Sequence, residues 1–317
     1  MFSRILSLFS SSGAGAARDL SFGLLNARQV VPLVKDEKWE QLEQLARALS
    51  SDELSRLLDG ICLTDRFNKQ ILPLGKQKEQ EFARLVLGAW HLYQAWQARS
   101  GLLAKDVSKS QMEGFEHYLL LARVLLGGTF ATPAFLGEAR ARLIRVEMGL
   151  NEPDRAMAAF HQSVAVDARK FWAHHHVFKL SSPKWLGSEE ELVGYIQSVQ
   201  DGALRYALWL MFLVEMYSDA NLEDESSALQ RWHPMYESLL KEVLAQPPLP
   251  VDGTLVSIYA NNNLAYLYHL AGEREKRNST LTALNGHYSP YPWDYFGIDT
   301  SSAAAMKAFQ SSLACRP

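Results

Sequence analysis

Residues 82–96 read Phe-Ala-Arg-Leu-Val-Leu-Gly-Ala-Trp-His-Leu-Tyr-Gln-Ala-Trp. Phe82, Leu85, Val86, Ala89, Trp90, Tyr93 and Trp96 recur at steps of three and four, so a helix gathers them on one face. A strand would scatter the same side chains over both faces. The pattern continues outward in both directions. Apolar stripes run through Trp39–Leu49 and Leu54–Ile61 on one side, and through Phe115–Leu126, Leu192–Val199, Trp232–Leu244 and Met306–Leu313 on the other. Ser110-Gln-Met-Glu113 and Ser188-Glu-Glu-Glu191 read as capping boxes, in which a Ser oxygen and a Glu carboxylate satisfy the free donors of a helix start. Alternating strand patterns between Asn-Gly or Asp-Gly turns are nearly absent, and Asp252-Gly253 opens a helix-like run. The sequence therefore predicts an all-α protein, an antiparallel array of about a dozen helices.

Composition bounds the rest. The 317 residues are 48% hydrophobic and 21% charged, enough to bury a large core. The 32 Lys+Arg against 35 Asp+Glu leave a net charge of −3, which argues against a nucleic-acid binder with a basic face. Two cysteines, Cys62 and Cys315, exclude a disulfide framework and a Cys-rich zinc module. Cys62 sits in the apolar run Leu57–Leu63 and reads as a small core residue. A break at Leu72-Pro73-Leu74-Gly75 divides an N-terminal helical subdomain, 21–75, from a longer helical domain, 76–317.

The segment 1–20 is read as a flexible leader. Its apolar patch Ile5–Phe9 is interrupted by Ser7 and is shorter than the roughly 7–15 residues of a secretory core, with a cleaved signal ending near Ala16 as the alternative. Leu204–Tyr217 is the most apolar stretch, yet it carries Arg205 and Glu215 and falls short of the ~20 residues that span a bilayer. It reads as a buried core helix. The expected location is the cytoplasm, with no membrane contact.

Two helix pairs follow a tetratricopeptide-like spacing. In the first, Leu264-Ala265, Tyr268 and Gly272 match the first helix, and Leu281 and Leu284 fall where the second packs. Arg277 stands there where the pattern wants a small Ala. In the other, Met148-Gly149-Leu150 precedes Ala156, Phe160 and Ala168, a small-residue seam on a second helix.

The run Gly149-Leu150, Asp154-Arg155, Phe160, Phe171-Trp172 and Pro183-Lys-Trp185-Leu-Gly187-Ser188 resembles a bacterial domain-of-unknown-function family with tetratricopeptide-like helices. Ala95-Trp96, Arg99-Ser-Gly101, Phe115 and Ala122 resemble its upstream part, so the likeness covers about residues 80–200. It implies tetratricopeptide-like helices in the middle and C-terminal parts and a bacterial source, and supplies no catalytic residue. A looser likeness is to immunity proteins of interbacterial toxin systems, which rests on the class of protein and on no motif.

Constellations for chemistry are thin. Three adjacent residues, His174-His175-His176, point about 100° apart on a helix and cannot all meet one metal; His174 and His176 would coordinate only in an extended stretch. Glu113 and His117 lie one turn apart and read as a surface pair. There is no Gly-x-Ser-x-Gly elbow and no phosphate loop, since Gly127-Gly128 lacks the Lys. Glu189, Glu190 and Glu191 are accounted for by capping. No enzyme activity, metal or cofactor is expected.

Two segments read as recognition surfaces. Tyr288, Tyr291, Trp293, Asp294, Tyr295 and Phe296 lie in an aromatic, proline-containing stretch expected to be non-helical. Its rings either form a binding hot spot or clamp the last helix onto the array. Asp219, Glu223, Asp224 and Glu225 lie in an acidic segment, either a patch for a basic partner or a solvated loop. Asn261 and Asn262, with Asn263, would line the inner groove of the helix pair and hydrogen-bond an extended peptide, or cap a helix. The expected function is a non-catalytic protein-binding protein, most specifically a cytosolic immunity protein that neutralises a cognate secreted toxin by direct binding. The alternatives are a scaffold binding peptide segments and a metal-dependent hydrolase using His174 and His176.

Overall fold

The computed structural model describes residues 19–100, 106–300 and 302–312. Of the 1–20 leader only Asp19 and Leu20 fall among them, and Cys315 lies outside. The described residues form helices and no strand, as the periodicity predicts. The chain divides into two compact units, Ala17–Tyr195 and Ile196–Pro317.

The first unit begins with the helices α1 (Leu24–Ala27), α2 (Val30–Lys35), α3 (Trp39–Arg47), α4 (Ser51–Cys62) and α5 (Asn68–Ile71). It continues through α6 (Glu81–Arg99), α7 (Lys109–Leu126), α8 (Pro133–Gly149), α9 (Pro153–Val166), α10 (Phe171–Leu180) and α11 (Glu189–Ser198), whose last residues cross into the second unit. The caps show why the helices start where they do. Ser50 and Glu53 form a reciprocal box at α4. At α7 the box is Ser108 with Gln111, two residues ahead of the expected Ser110–Glu113, because Ser108 is the last extended residue and Ser110 is already helical. Ser188 Oγ accepts from the Glu191 amide at 3.1 Å, as its spacing predicts.

Helix α8 is the hub of this unit, packed against α4, α6, α7, α9 and α10. The expected division falls at Leu72–Gly75. That stretch is a 3₁₀ segment, Leu72–Gln77, lying on α6, and α4 shares its core with α6 and α8. Helices α6 and α7 approach closely at Gly88, where a Cβ would lie 2.6 Å from the Leu126 side chain. Helices α8 and α9 close up at Gly137, whose carbonyl accepts from Ser163 Oγ at 2.8 Å. That contact, together with buried Ala156, makes the seam. Ala168 lies beyond the end of α9 and is exposed, so it takes no part.

The second unit comprises α12 (Gly202–Glu223), α13 (Ala228–Leu244), α14 (Leu255–Leu270), α15 (Arg274–Leu284), α16 (Pro290–Trp293) and α17 (Ala303–Ser311). Helices α12 and α14 form its centre, and nearly every residue of α14 is buried. Helices α14 and α15 form a hairpin turned at Gly272, whose φ of 78° lies in the left-handed region open to glycine. The count of seventeen helices among the described residues exceeds the expected dozen because α1, α5 and α16 are single turns of four residues. None of the helices is long and apolar enough to cross a membrane.

Candidate functional site

The aromatic segment is folded inward. Trp293 is fully buried, and its indole N–H donates to Asn262 Oδ1. The Asn262 amide in turn donates to the carbonyls of Ile258 (2.8 Å) and His287 (2.9 Å), so this one side chain ties the segment to α14. Phe296 stacks on Tyr266 with ring centroids 4.5 Å apart and meets Tyr217 at 5.5 Å. Tyr291 donates its hydroxyl to the buried carboxylate of Glu215 at 3.3 Å, and burial beside that carboxylate holds the phenol well above its ordinary pKa. Tyr288, Asp294 and Tyr295 are half-exposed. The single turn α16, Pro290–Trp293, is kinked at Tyr291, whose φ of −97° and ψ of 133° are extended rather than helical.

Asn261 and Asn262 are buried and do not line a groove, which corrects that expectation. The Asn261 amide donates to Leu249 O at 2.9 Å and the Asn263 amide to Tyr259 O at 2.7 Å. Three consecutive Asn on a helix point in three directions; here Asn261 and Asn262 reach carbonyls of neighbouring loops, while Asn262 and Asn263 also bond back to carbonyls one turn earlier in α14.

The acidic segment is mostly helix rather than loop, because α12 runs through to Glu223. Asp219 is half-buried, whereas Glu223, Asp224 and Glu225 are exposed at the turn into α13. Asp224 accepts from the hydroxyls of Ser227 (2.5 Å) and Ser226 (2.7 Å), which in that order hold its carboxyl down at about 2, with Arg231 contributing least. Of the twelve residues marked as recognition candidates, these three carboxylates are the exposed ones.

Arg277 is fully buried and is the residue that broke the repeat pattern. Its guanidinium donates to the carbonyls of Gln310 (2.9 Å) and Ser312 (3.2 Å) at the C-terminal end of α17. It also lies 3.0 Å from His269 Nδ1. Because an Arg only donates, His269 accepts there and is neutral, and burial beside the Arg277 charge pushes its pKa down to about 4.

In the first unit the chemistry sits in an ionic core that the sequence reading did not mark. Arg142 on α8 donates to Asp59 Oδ1 on α4 and to Glu138 Oε1, each at 2.7 Å. Lys170 pairs with Glu138, and its ammonium also donates to Ser51 O at 2.9 Å. Trp172 Nε1 donates to Asp59 Oδ2 at 2.8 Å, and Ser55 Oγ to Glu138 at 2.6 Å. All four charged residues are buried, so two acids and two bases balance within one cluster. Burial, with the neighbouring Glu138, pushes Asp59 up to about 6 against the pull of Arg142 and Trp172. Burial also opposes ionisation of Glu138, but Lys170 and Arg142 outweigh it and hold that carboxyl at about 2. One signal was available: Glu138 and Arg142 are one turn apart among Gly137, Ala139 and Ala141, small residues suited to a covered face.

The three histidines lie on helical α10, not on an extended stretch. His174 meets Tyr195 Oη (2.8 Å) and Ala168 O (3.0 Å), and His176 meets Ala141 O (2.8 Å). Among the described residues no group of three His, Cys, Asp or Glu side chains is placed to hold a metal ion. A cleft of about 100 Å³ opens beside Asp59, lined by Asp19, Asn26, Gly60, Thr64 and Arg66.

No family model matches this chain, and no curated protein or solved structure is detectably similar to it.

Proposed function

We propose that this chain is a non-catalytic protein-binding protein. The observation that carries this reading is the outer face of α7, where Met112 (41% exposed), Leu120 (44%), Leu121 (37%) and Val124 (75%) leave apolar side chains in water. Leu120 and Val124 are one turn apart with Leu121 beside them, so these three form an exposed apolar patch, from which the exposed Glu116 separates Met112, and such patches mark docking faces. The buried ion pairs support the same reading, because their polar atoms are committed to one another rather than aimed at a substrate. The acidic turn Glu223–Glu225 is a second surface, suited to steering a basic partner.

The finer proposal is a cytosolic immunity protein that neutralises a cognate secreted toxin, on tetratricopeptide-like helix pairs. It rests on the class of protein that an all-helical, mildly acidic chain with exposed apolar and acidic surfaces resembles, and on no motif. The peptide-scaffold alternative loses its groove with the burial of Asn261 and Asn262, and the metal-hydrolase alternative has no supporting cluster among the described residues. Affinity capture on the full chain, beside Leu120→Glu/Val124→Glu and Glu223→Lys/Asp224→Lys versions, tests the reading. One stoichiometric partner with a toxin domain, lost with a surface variant, is the expected result. A chain that retains no stoichiometric partner and gives cells no protection from the toxin encoded beside it would refute it.

A further inference from the structure

Asp59 on α4 has a weaker hold on its charge than Glu138, the other carboxylate of the buried ionic core. Its two oxygens are met by one charged donor and one neutral donor, Arg142 at Oδ1 (2.7 Å) and the Trp172 indole N–H at Oδ2 (2.8 Å). Glu138 is met by Lys170, Arg142 and Ser55 Oγ, so two cations and a hydroxyl serve that carboxylate. Two buried carboxylates that share a guanidinium repel one another, and the one with fewer cations takes up a proton first. That group is Asp59. Burial is the larger push in the same direction, and with it the carboxyl stands at about 6.

The donors decide what the proton does. Arg and Trp side chains donate and do not accept. A proton that arrives on Oδ2 therefore gains no acceptor from the indole already there, and a neutral carboxyl holds an N–H less strongly than a carboxylate does. Arg142 keeps its bonds to Glu138 and to the Ser55 carbonyl (3.3 Å), so it stays in place. The indole bond is the one that yields. It belongs to the start of α10, a helix that packs on α8 and α9. Trp172, with Lys170 just ahead of the helix, links that start to α4, through Asp59 and through Ser51 O (2.9 Å). The Trp172 ring also stacks on His176 at 5.6 Å and meets His175 edge-on at 5.1 Å, so a shift of the indole is passed along α10.

The neighbouring groups keep one charge state while Asp59 changes. Burial holds the Cys62 thiol up at about 12 on α4, and Glu138 on α8 stays at about 2. On α10, burial takes His176 down to about 3 and His175 well below its ordinary value. Arg142 and Lys170 supply the positive charge. Helix α1 meets α4 through Leu25 at Gly60, and α6 meets it through the Val86 carbonyl, which accepts from Cys62. The cleft beside Asp59, with Asp19 and Arg66 in its walls, brings solvent up to α4 at this residue.

We propose that Asp59 is a proton-operated latch: on taking a proton from solvent it releases the Trp172 indole, keeps Arg142, and frees the start of α10 from α4. The first unit thereby has two folded states, one latched in neutral surroundings and one unlatched in mildly acidic ones. This device is independent of the α7 patch and of the acidic turn, so it stands or falls apart from the surfaces proposed above.

The test uses the full chain with 15N-labelled tryptophan, in which the Trp172 indole signal is the one that Trp172→Phe removes. Between about pH 7.5 and about pH 5 the Trp172 indole proton should move upfield, the direction of a lost hydrogen bond, in a one-proton transition centred near 6, with far-ultraviolet circular dichroism constant throughout. Asp59→Asn has no proton to take up, so its Trp172 signal should stay flat over the same range. A flat signal in the wild type, the same transition in Asp59→Asn, or a transition that carries the helical signal with it overturns the proposal. If Asp59→Asn does not fold, the titration of the Asp59 carboxyl carbon decides. Trp172→Phe removes a donor that favours the charged form, so it should raise that midpoint by at least about half a pH unit, and equal midpoints overturn the latch.

Discussion

Arg142 and Arg277 are buried guanidinium groups on helices whose apolar stripes placed charge outside. Periodicity assigns a charged residue to the solvent face unless its partners are known, and those partners come from elsewhere in the chain: Asp59 is on α4 and the Gln310 carbonyl on α17. The ionic core was therefore invisible residue by residue. Removing one member should be costly. Arg142→Met leaves Asp59 and Glu138 buried with Lys170 alone, and urea unfolding should show a loss of about 3–5 kcal/mol. The two carboxyls also pull the pH dependence in opposite directions. Glu138 is held at about 2, below its ordinary 4.5, so its stabilisation is complete above pH 4.5 and is lost as pH falls toward 2. Asp59 is pushed up to about 6 from 3.8, so the folded protein takes up its proton first, and this residue favours folding increasingly as pH falls from 6 to 3.8. Asp59→Asn should flatten the stability profile between those two values, and Glu138→Gln the acid limb below 4.5. Urea midpoints across that range measure both.

At the scale of elements the sequence was legible, because helices announce themselves through stripes and caps. The stripes at 82–96 and 232–244 lie in helices, and the stripe at 192–199 does so as far as Ser198. What periodicity missed was register: α7 starts two residues early, and of the two readings of the aromatic segment it could not say that Trp293 would pack against α14 through Asn262. Local signals locate a helix start within a turn, but which of two serines caps it depends on the backbone of the preceding residue. The Ser50–Glu53 box makes a simple check. Ser50→Ala removes an acceptor for the Glu53 amide and should cost about 1 kcal/mol in thermal or chemical unfolding. Gly88→Ala forces a methyl group against Leu126 at the α6–α7 crossing and should cost about 1–3 kcal/mol, recovered in part by Leu126→Ala beside it.

Over the whole molecule, the helical class was readable from one stretch of fifteen residues, whereas the division of the chain was not. A Pro-Gly break near residue 75 looks like a boundary, but its backbone packs on α6, and the chain passes from the first unit to the second within α11. Boundaries depend on which helices share a core, and no single sequence window carries that information. Within the second unit Trp232 is a sensitive point, fully buried with its indole N–H on the Leu213 carbonyl of α12 (3.1 Å). Trp232→Ala should cost about 3–5 kcal/mol, and exchange protection should fall together across α12, α13 and α14. The first unit holds a different kind of reporter. Cys62 is fully buried, donates to the Val86 carbonyl at 3.5 Å, and has its thiol pushed up to about 12 by burial. Since only the thiolate reacts, an alkylating reagent can reach this sulfur only when the surrounding helices part. Its labelling rate is thus a clock wound into the protein, ticking once for each opening of that core.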